Sequence, residues 1–174
     1  RLIWAKGIKE FAETAINLYK TRPELKFILV APEESGSFGA VPIEYVLETE
    51  KKANFMWQGF QKKVKPLYAI ADLAVLPTFY KEGGYPRALL EPMAMGKPVI
   101  TTDSEDCRGA IEDGKNGYLI PIKNSKVLED AIIKILGDDK IFKEFGEYSR
   151  VKAVRDFDES IIVRGALRQM GLVS

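Results

Sequence analysis

The sequence predicts an α/β fold: a parallel sheet with helices on both faces. Three observations lead there. Short, mostly apolar runs recur, KFILVA (26–31) the most continuous, with LAVLPT (73–78) and PVITT (98–102) as further strands, as expected where strands are covered on both sides. Segments of helical period stand between such runs. Strand and helix then alternate along the chain, and parallel neighbours need a crossover of that kind.

In chain order, residues 7–20 carry Ile8, Phe11, Ala12, Ala15, Ile16 and Tyr19 on one helical face. The strand at 26–31 follows. PEESGSFGA (32–40) is a turn-rich loop, and a polar helix then runs to Ala53. NFMWQG (54–59) reads as a strand, VKPLYAIA (64–71) as a short helix and LAVLPT as a strand. After a glycine-containing loop comes an apolar helix, then PVITT. CRGAIEDG (107–114) reads as a short helix ended by Gly114, and GYLIP (117–121) as a strand. Residues 125–136 are amphipathic, with Leu128, Ala131, Ile132, Ile135 and Leu136 inward. The stretch 140–172 is helical in two pieces, broken near Asp156–Asp158, where Asp158 can cap the second.

Composition narrows the chemistry. Of 174 residues, 46% are hydrophobic and 29% charged, and the net charge of +1 gives no basis for nucleic-acid binding. No apolar run is long enough to span a bilayer. A single cysteine, Cys107, excludes intrachain disulfides and suits a reducing, cytoplasmic compartment. The chain has no histidine. Ser-His and Cys-His nucleophile pairs, histidine bases and histidine metal sites are therefore excluded. No Asp-x-Asp cluster follows a strand, so no metal and no cofactor are expected. Carboxylates, Lys, Arg, Tyr and backbone dipoles must carry any chemistry.

The stretch EGGYPRALLEPMAMGKPVITTD (82–103) concentrates those groups. It follows a strand, and ligands of open parallel sheets bind beyond the carboxyl ends of the strands. Pro86 suits the first helical position. Gly83 and Gly84 let backbone approach a ligand, and the helix N-terminus favours an anion, most naturally phosphate. Arg87 in the first turn opposes the dipole by about 0.3–1 kcal/mol unless an anion compensates. A carboxylate beside phosphate is repelled, so Glu82 and Glu91 suit hydroxyl groups. Glu91 lies roughly 7.5 Å along the helix from Pro86, so a diphosphate at the helix mouth would leave a nucleotide's ribose near Glu91 and a sugar near Glu82. Tyr85 either lines the sugar pocket or packs on the surface. From these residues alone, a phosphate cradle and a plain tight turn both stay open.

The same stretch resembles the signature of the retaining GT-B glycosyltransferases of group 1, in their C-terminal, donor-binding half. RLIWAKG (1–7), KFILVAP (26–32), QGF (58–60), LYAIADLAVLPT (67–78) and EDGKNGYLIP (112–121) resemble further family segments in order and spacing. The resemblance implies a Rossmann-like donor domain over residues 1–157, with its first strand mostly preceding Arg1. It implies that 158–174 is a helix crossing to an N-terminal half that carries the acceptor site. The start at Arg1 is read accordingly as the start of a fragment. By the resemblance, Arg1 and Lys6 contact the donor diphosphate, and Glu82 touches the transferred sugar. Glu91 binds the ribose, Gly83 and Gly84 offer N–H groups, and Phe60 and Gln61 meet the base.

The implied activity is transfer of a hexose or N-acetylhexosamine from a nucleoside-diphosphate sugar, UDP-sugar favoured, to a glycan or lipid-linked acceptor, as in polysaccharide biosynthesis. Membrane association would come through the other half. A nucleotide-sugar epimerase of the same fold and a non-catalytic nucleotide-binding subunit are the alternatives. The chain departs from the family pattern in three places. Eight residues separate Glu82 from Glu91 where seven are usual. Pro92 stands where alanine is commoner and predicts a kink. Ala31-Pro32 replaces a glycine-rich turn.

Overall fold

A computed structural model describes residues 1–34 and 36–172. Ser35, within the predicted 32–40 loop, and the last two residues of the 158–174 segment lie outside the described residues.

Among the described residues, five strands and eight α-helices follow the predicted order. They are α1 (Ile8–Tyr19), β1 (Phe27–Leu29), α2 (Ile43–Lys52), β2 (Phe55–Trp57), α3 (Lys65–Ile70) and β3 (Ala74–Leu76). The chain continues through α4 (Arg87–Ala94), β4 (Val99–Thr102), α5 (Glu105–Arg108), β5 (Gly117–Ile120), α6 (Ser125–Leu136), α7 (Asp139–Phe157) and α8 (Glu159–Gln169). A short 3-10 turn, Trp4–Lys6, precedes α1.

All strand pairing in these elements is parallel, but it forms two sheets. β1 pairs with β2, Phe27 opposite Phe55. β3, β4 and β5 form the second sheet in that order, with Ala74 opposite Val99 and Val99 opposite Gly117. Among the described strands β1, β2, β3 and β5 each keep one edge unpaired, and only β4 is paired on both. Residues 2–7 tie the two sheets together at their carboxyl ends. The Leu2 N–H donates to the Pro32 carbonyl at 2.9 Å, and Leu2 accepts from Val41 N–H at 3.0 Å. The Phe79 N–H donates to the Ala5 carbonyl at 2.8 Å. Gly7 adopts φ 75°, and a Cβ there would sit 2.1 Å from the Pro77 carbonyl oxygen. Only glycine fits that crossing.

Helices cover both faces of the three-stranded sheet, as the period of two along its strands records. Ile100 and Ile120 join one apolar cluster with Leu2, Ala12, Leu18, Leu128 and Ile135. Their neighbours Val99 and Leu119 join the other, with Ala74, Leu89, Met93 and Cys107. Every residue of β4 is buried, the two threonines included, which explains why PVITT is β-branched after its proline and carries no charge. The first cluster receives α1, α2 and α6; the second receives α4, α5 and the end of α7.

Several expectations need correction. Tyr19 is exposed, and Leu18 takes its place inside. Thr14 and Glu10 are also buried on α1, and Thr14 Oγ1 donates to the Ser125 carbonyl at 3.1 Å, tying α1 to α6. The predicted helix at 107–114 is instead α5, four residues long and earlier in the chain. Buried Asn116 is the reason: its Oδ1 accepts the Glu112 N–H at 2.8 Å and its Nδ2 donates to the Ala110 carbonyl at 3.2 Å. Those backbone groups are used by a side chain, and the helix does not propagate. Pro86 is not the first helical residue. It caps α4 with extended backbone (φ −64°, ψ 128°). Pro92 lies inside α4, buried, and the helix ends two residues later at Ala94. As predicted, Asp158 separates α7 from α8 and caps α8, its carboxylate accepting from Ser160 N–H at 2.9 Å.

Candidate functional site

The chain segments after β1, β3 and β4 converge at the carboxyl ends of the strands, where loops of open sheets form sites. Lys6, at the end of the 3-10 turn, reaches the loop after β3. Its Nζ lies 2.6 and 2.5 Å from Oε1 and Oε2 of Glu82. Both side chains are largely shielded, at 18% and 10% exposure. Thr78 Oγ1 is 3.0 Å from Glu82 Oε1 and 3.2 Å from the Ala5 carbonyl, and accepts the Tyr80 N–H at 3.1 Å. Glu82 therefore has a cation and a hydroxyl on one carboxylate, which fixes its direction.

Arg1 joins the group through Tyr80. The guanidinium carbon lies 4.8 Å from the Tyr80 ring centroid, and Lys6 Nζ lies 5.0 Å from it. Both approaches are within cation–π range. Arg1 is more open than Lys6 and also makes a long contact, 3.9 Å, with Glu34.

The Gly83–Gly84 turn has φ 74° and 149°, and no atom lies within 4 Å of where a side chain would project from either residue. The backbone is open, as a ligand approach requires. The Glu82 and Gly83 N–H groups are already used, both donating to Asp106 Oδ2, at 2.7 and 3.1 Å. Tyr85 turns toward the end of α7: its ring meets Phe157 edge-on, centroids 5.1 Å apart. Arg87 opens α4 and is exposed.

Glu91 is half-buried in the middle of α4. Across from it stands Tyr68 of α3, whose hydroxyl is pushed up to about 12, first by burial and then by the Glu91 charge. After β2, Gly59 turns with φ 58°, and Phe60 is 72% exposed. Gln61 Nε2 donates back to the Gln58 carbonyl at 2.7 Å.

Of the residues singled out from the sequence, Arg1, Lys6, Glu82 and Gly83 thus share one connected group. Among the described residues, no hydrogen bond or ion pair joins Phe60, Gln61, Arg87 or Glu91 to that group. Thr78, Tyr80, Asp106 and Tyr68 are the additions the sequence reading missed. Thr78 and Tyr80 flank a strand end already marked as a site, so position alone could have found them. Asp106 gave no such signal, because its contact depends on α5 starting at Glu105. Among the described residues no group of three or more Cys, Asp or Glu is placed to hold a metal ion. No described helix is long and apolar enough to cross a membrane.

Comparison with known proteins adds a family and a fold. The family model described as glycosyl transferases group 1 matches residues 1–152. The chain is 31% identical over 168 residues to the N,N'-diacetylbacillosaminyl-diphospho-undecaprenol alpha-1,3-N-acetylgalactosaminyltransferase of Campylobacter jejuni, which covers 97% of this chain and 42% of that protein. It is 23% identical over 180 residues to the alpha-D-kanosaminyltransferase of Streptomyces kanamyceticus, covering 99% of this chain and 45% of that one. The chain spans less than half the length of both relatives. Among solved structures, Anabaena HepE in complex with UDP matches with a TM-score of 0.87 at 21% identity, over 99% of this chain and 47% of that one. The C-terminal domain of the group 1 family protein LpcC from Francisella tularensis matches with a TM-score of 0.75 at 23% identity, over 90% of this chain and 82% of that one. At these identities the structural likeness is one of fold, that of a GT-B C-terminal, Rossmann-like domain.

Proposed function

The chain belongs to the group 1 glycosyl transferases, and from that premise we propose that it is the donor-binding domain of a retaining enzyme. The donor is a nucleoside-diphosphate hexose or N-acetylhexosamine, UDP-linked in the favoured reading. The acceptor is a glycan or lipid-linked sugar bound by an N-terminal half, which would also supply any membrane association of a cytoplasmic protein. Residues 1–157 form the donor domain, and 158–174 cross to the other half. The unpaired edges of β1 and β3 support a first strand preceding Arg1. The half-exposed Ile161 and Ile162 of α8 support a covering partner.

One observation carries the reading: the contact between Lys6 and Glu82 at the open glycine turn. The donor's reacting bond joins a sugar to a phosphate. A site for it needs a hydroxyl acceptor and a cation side by side, and the pair supplies both. Glu82 accepts from sugar hydroxyls. Lys6, with Arg1, meets the charge that grows on the departing diphosphate, and groups already in place when charge develops are the ones that lower a barrier. The Gly84 N–H adds a backbone donor, while Glu91 takes the ribose hydroxyls and Phe60 and Gln61 the base. Neither the epimerase nor the non-catalytic alternative is favoured, since the relatives named above are transferases.

Calorimetric titration of the full-length protein with UDP, UMP, GDP and GMP tests the site. Diphosphates are expected to bind more tightly than the matching monophosphates. Equal affinity for the two would remove the diphosphate site.

A further inference from the structure

Two contacts tie α5 to the loop that presents Glu82, and the donor chemistry proposed above uses neither. In the first, Asp106 Oδ2 accepts the N–H groups of Glu82 and Gly83 at 2.7 and 3.1 Å. In the second, Tyr85 fills the space above Gly109. A Cβ on Gly109 would lie 2.3 Å from the Tyr85 hydroxyl oxygen and 2.5 Å from its Cε1. Gly109 has an ordinary helical backbone, φ −72° and ψ −22°. Any residue could adopt that conformation, so the value of glycine there is room for the ring. Phe157 closes the other side of Tyr85 with its edge contact at 5.1 Å.

The loop needs this support. Nothing packs within 4 Å of the missing side chains of Gly83 and Gly84, and two adjacent glycines have the greatest backbone freedom to lose. The α5 contacts grip the loop on both sides of that weak point, at Glu82–Gly83 before it and at Tyr85 after it. Asp106 also occupies the Glu82 and Gly83 N–H groups. Anion binding is left to Gly84, Lys6 and Arg1.

We infer that α5 is the mount of the donor loop, with Asp106 a positioning residue that aims Glu82 and Gly109 the seat of Tyr85. The inference deepens the proposed donor site and rests on it for the role of Glu82. Asp106 itself is bonded to backbone and acts on the sugar only through the loop. Its loss should slow transfer and leave nucleotide binding nearly intact, because the residues proposed for the base and ribose, and the Lys6 and Arg1 charges, lie outside the loop.

The test uses the full-length protein and its Asp106→Ala, Asp106→Asn, Gly109→Ala, Tyr85→Ala and Gly109→Ala/Tyr85→Ala variants. Hydrogen exchange at the Glu82 and Gly83 amides reads the mount directly, without any donor. Asp106→Ala is expected to speed exchange at both by about tenfold or more, the loss of a charge-assisted acceptor. Asp106→Asn keeps an oxygen and is expected to restore part of the protection. With UDP-sugar as donor, kcat should fall in Asp106→Ala while UDP affinity stays within about twofold, a split that marks loss of an interaction felt at the reacting end. Gly109→Ala should damage transfer by displacing the ring, and should add nothing once Tyr85 is already alanine, since the two changes share one contact. Unchanged amide protection in Asp106→Ala, or full additivity of Gly109→Ala and Tyr85→Ala, would overturn the inference. A wild-type protein that binds no nucleoside diphosphate would overturn the donor reading instead, and the amide exchange would still decide whether α5 mounts the loop.

Discussion

Lys6 Nζ touches both carboxylate oxygens of Glu82, at 2.6 and 2.5 Å, although 76 positions separate the two residues. The pair is shielded but not sealed. An ion pair in such a place is costly to break from one side, because the surviving charge is left without a partner. Lys6→Ala is therefore expected to lower stability by roughly 1–3 kcal/mol and to abolish transfer. Chemical denaturation and a transfer assay on the full-length protein measure the two effects. Wild-type transfer by Lys6→Ala would remove Lys6 from the diphosphate.

The two glutamates should separate by assay. Glu91→Gln is expected to weaken nucleotide binding by about tenfold or more, since a charged acceptor to a hydroxyl is worth roughly 1.5–3 kcal/mol. Glu82→Gln should leave UDP affinity almost unchanged and cripple transfer, because bare UDP carries no sugar to grip. Titration with UDP and steady-state kinetics with UDP-sugar distinguish the two. If Glu82→Gln abolishes UDP binding and Glu91→Gln has no effect, the roles are reversed.

Much of this arrangement was legible in the sequence, for identifiable reasons. β4 was readable because four consecutive buried residues, Val99 to Thr102, leave a β-branched run without a charge. α6 was readable because its period is clean, and Asp158 because a cap is a local signal. The division into two sheets was not readable, since pairing partners are set by position in space. α5 was misplaced because Asn116, several residues away, takes the backbone groups a longer helix would need. Asp106 was missed for the same reason: its function depends on a loop 24 residues earlier in the chain. Local chemistry announced Glu82, Glu91 and the glycines, and only tertiary contact shows what holds them.

The ion network at the end of α7 gives the fold a sensitivity to acid. Glu112 is held down at about 2 by hydrogen bonds, the Tyr148 hydroxyl first and then Lys115, Lys152 and Arg155. Asp156 lies well below the usual carboxylate range through Arg155 and Lys152. A carboxylate with a lowered folded-state pKa contributes stability that is complete above its unfolded value and lost as pH falls through the folded one. For Glu112 the window runs from about 4.5 down to about 2. Glu112→Gln should lower the melting temperature at pH 7 and flatten its decline over that window. An identical pH profile in wild type and variant would take Glu112 out of the acid response.

The glycine turn gives the sharpest test of the site. Gly83 and Gly84 hold positive φ, and the space beyond each is empty. Valine at both positions would strain the loop by roughly 1–3 kcal/mol per residue, but it would meet no core atom, so the two apolar clusters should stay intact. The new side chains would project into the opening through which a donor must come. Binding of a diphosphate sugar needs the backbone itself to approach its oxygens, and a branched side chain prevents that approach. The double-valine variant of the full-length protein should therefore keep a cooperative melting transition and its far-ultraviolet dichroism while losing transfer. Deleting Gly84 alone, which restores a seven-residue interval between Glu82 and Glu91, should leave measurable activity. The loop would lose the Gly84 N–H, but Lys6 and Arg1 would remain to meet the diphosphate, so activity should fall without vanishing. A folded double-valine variant with full activity would mean that the turn cradles no phosphate, and the carboxylates at 82 and 91 would then need a different partner.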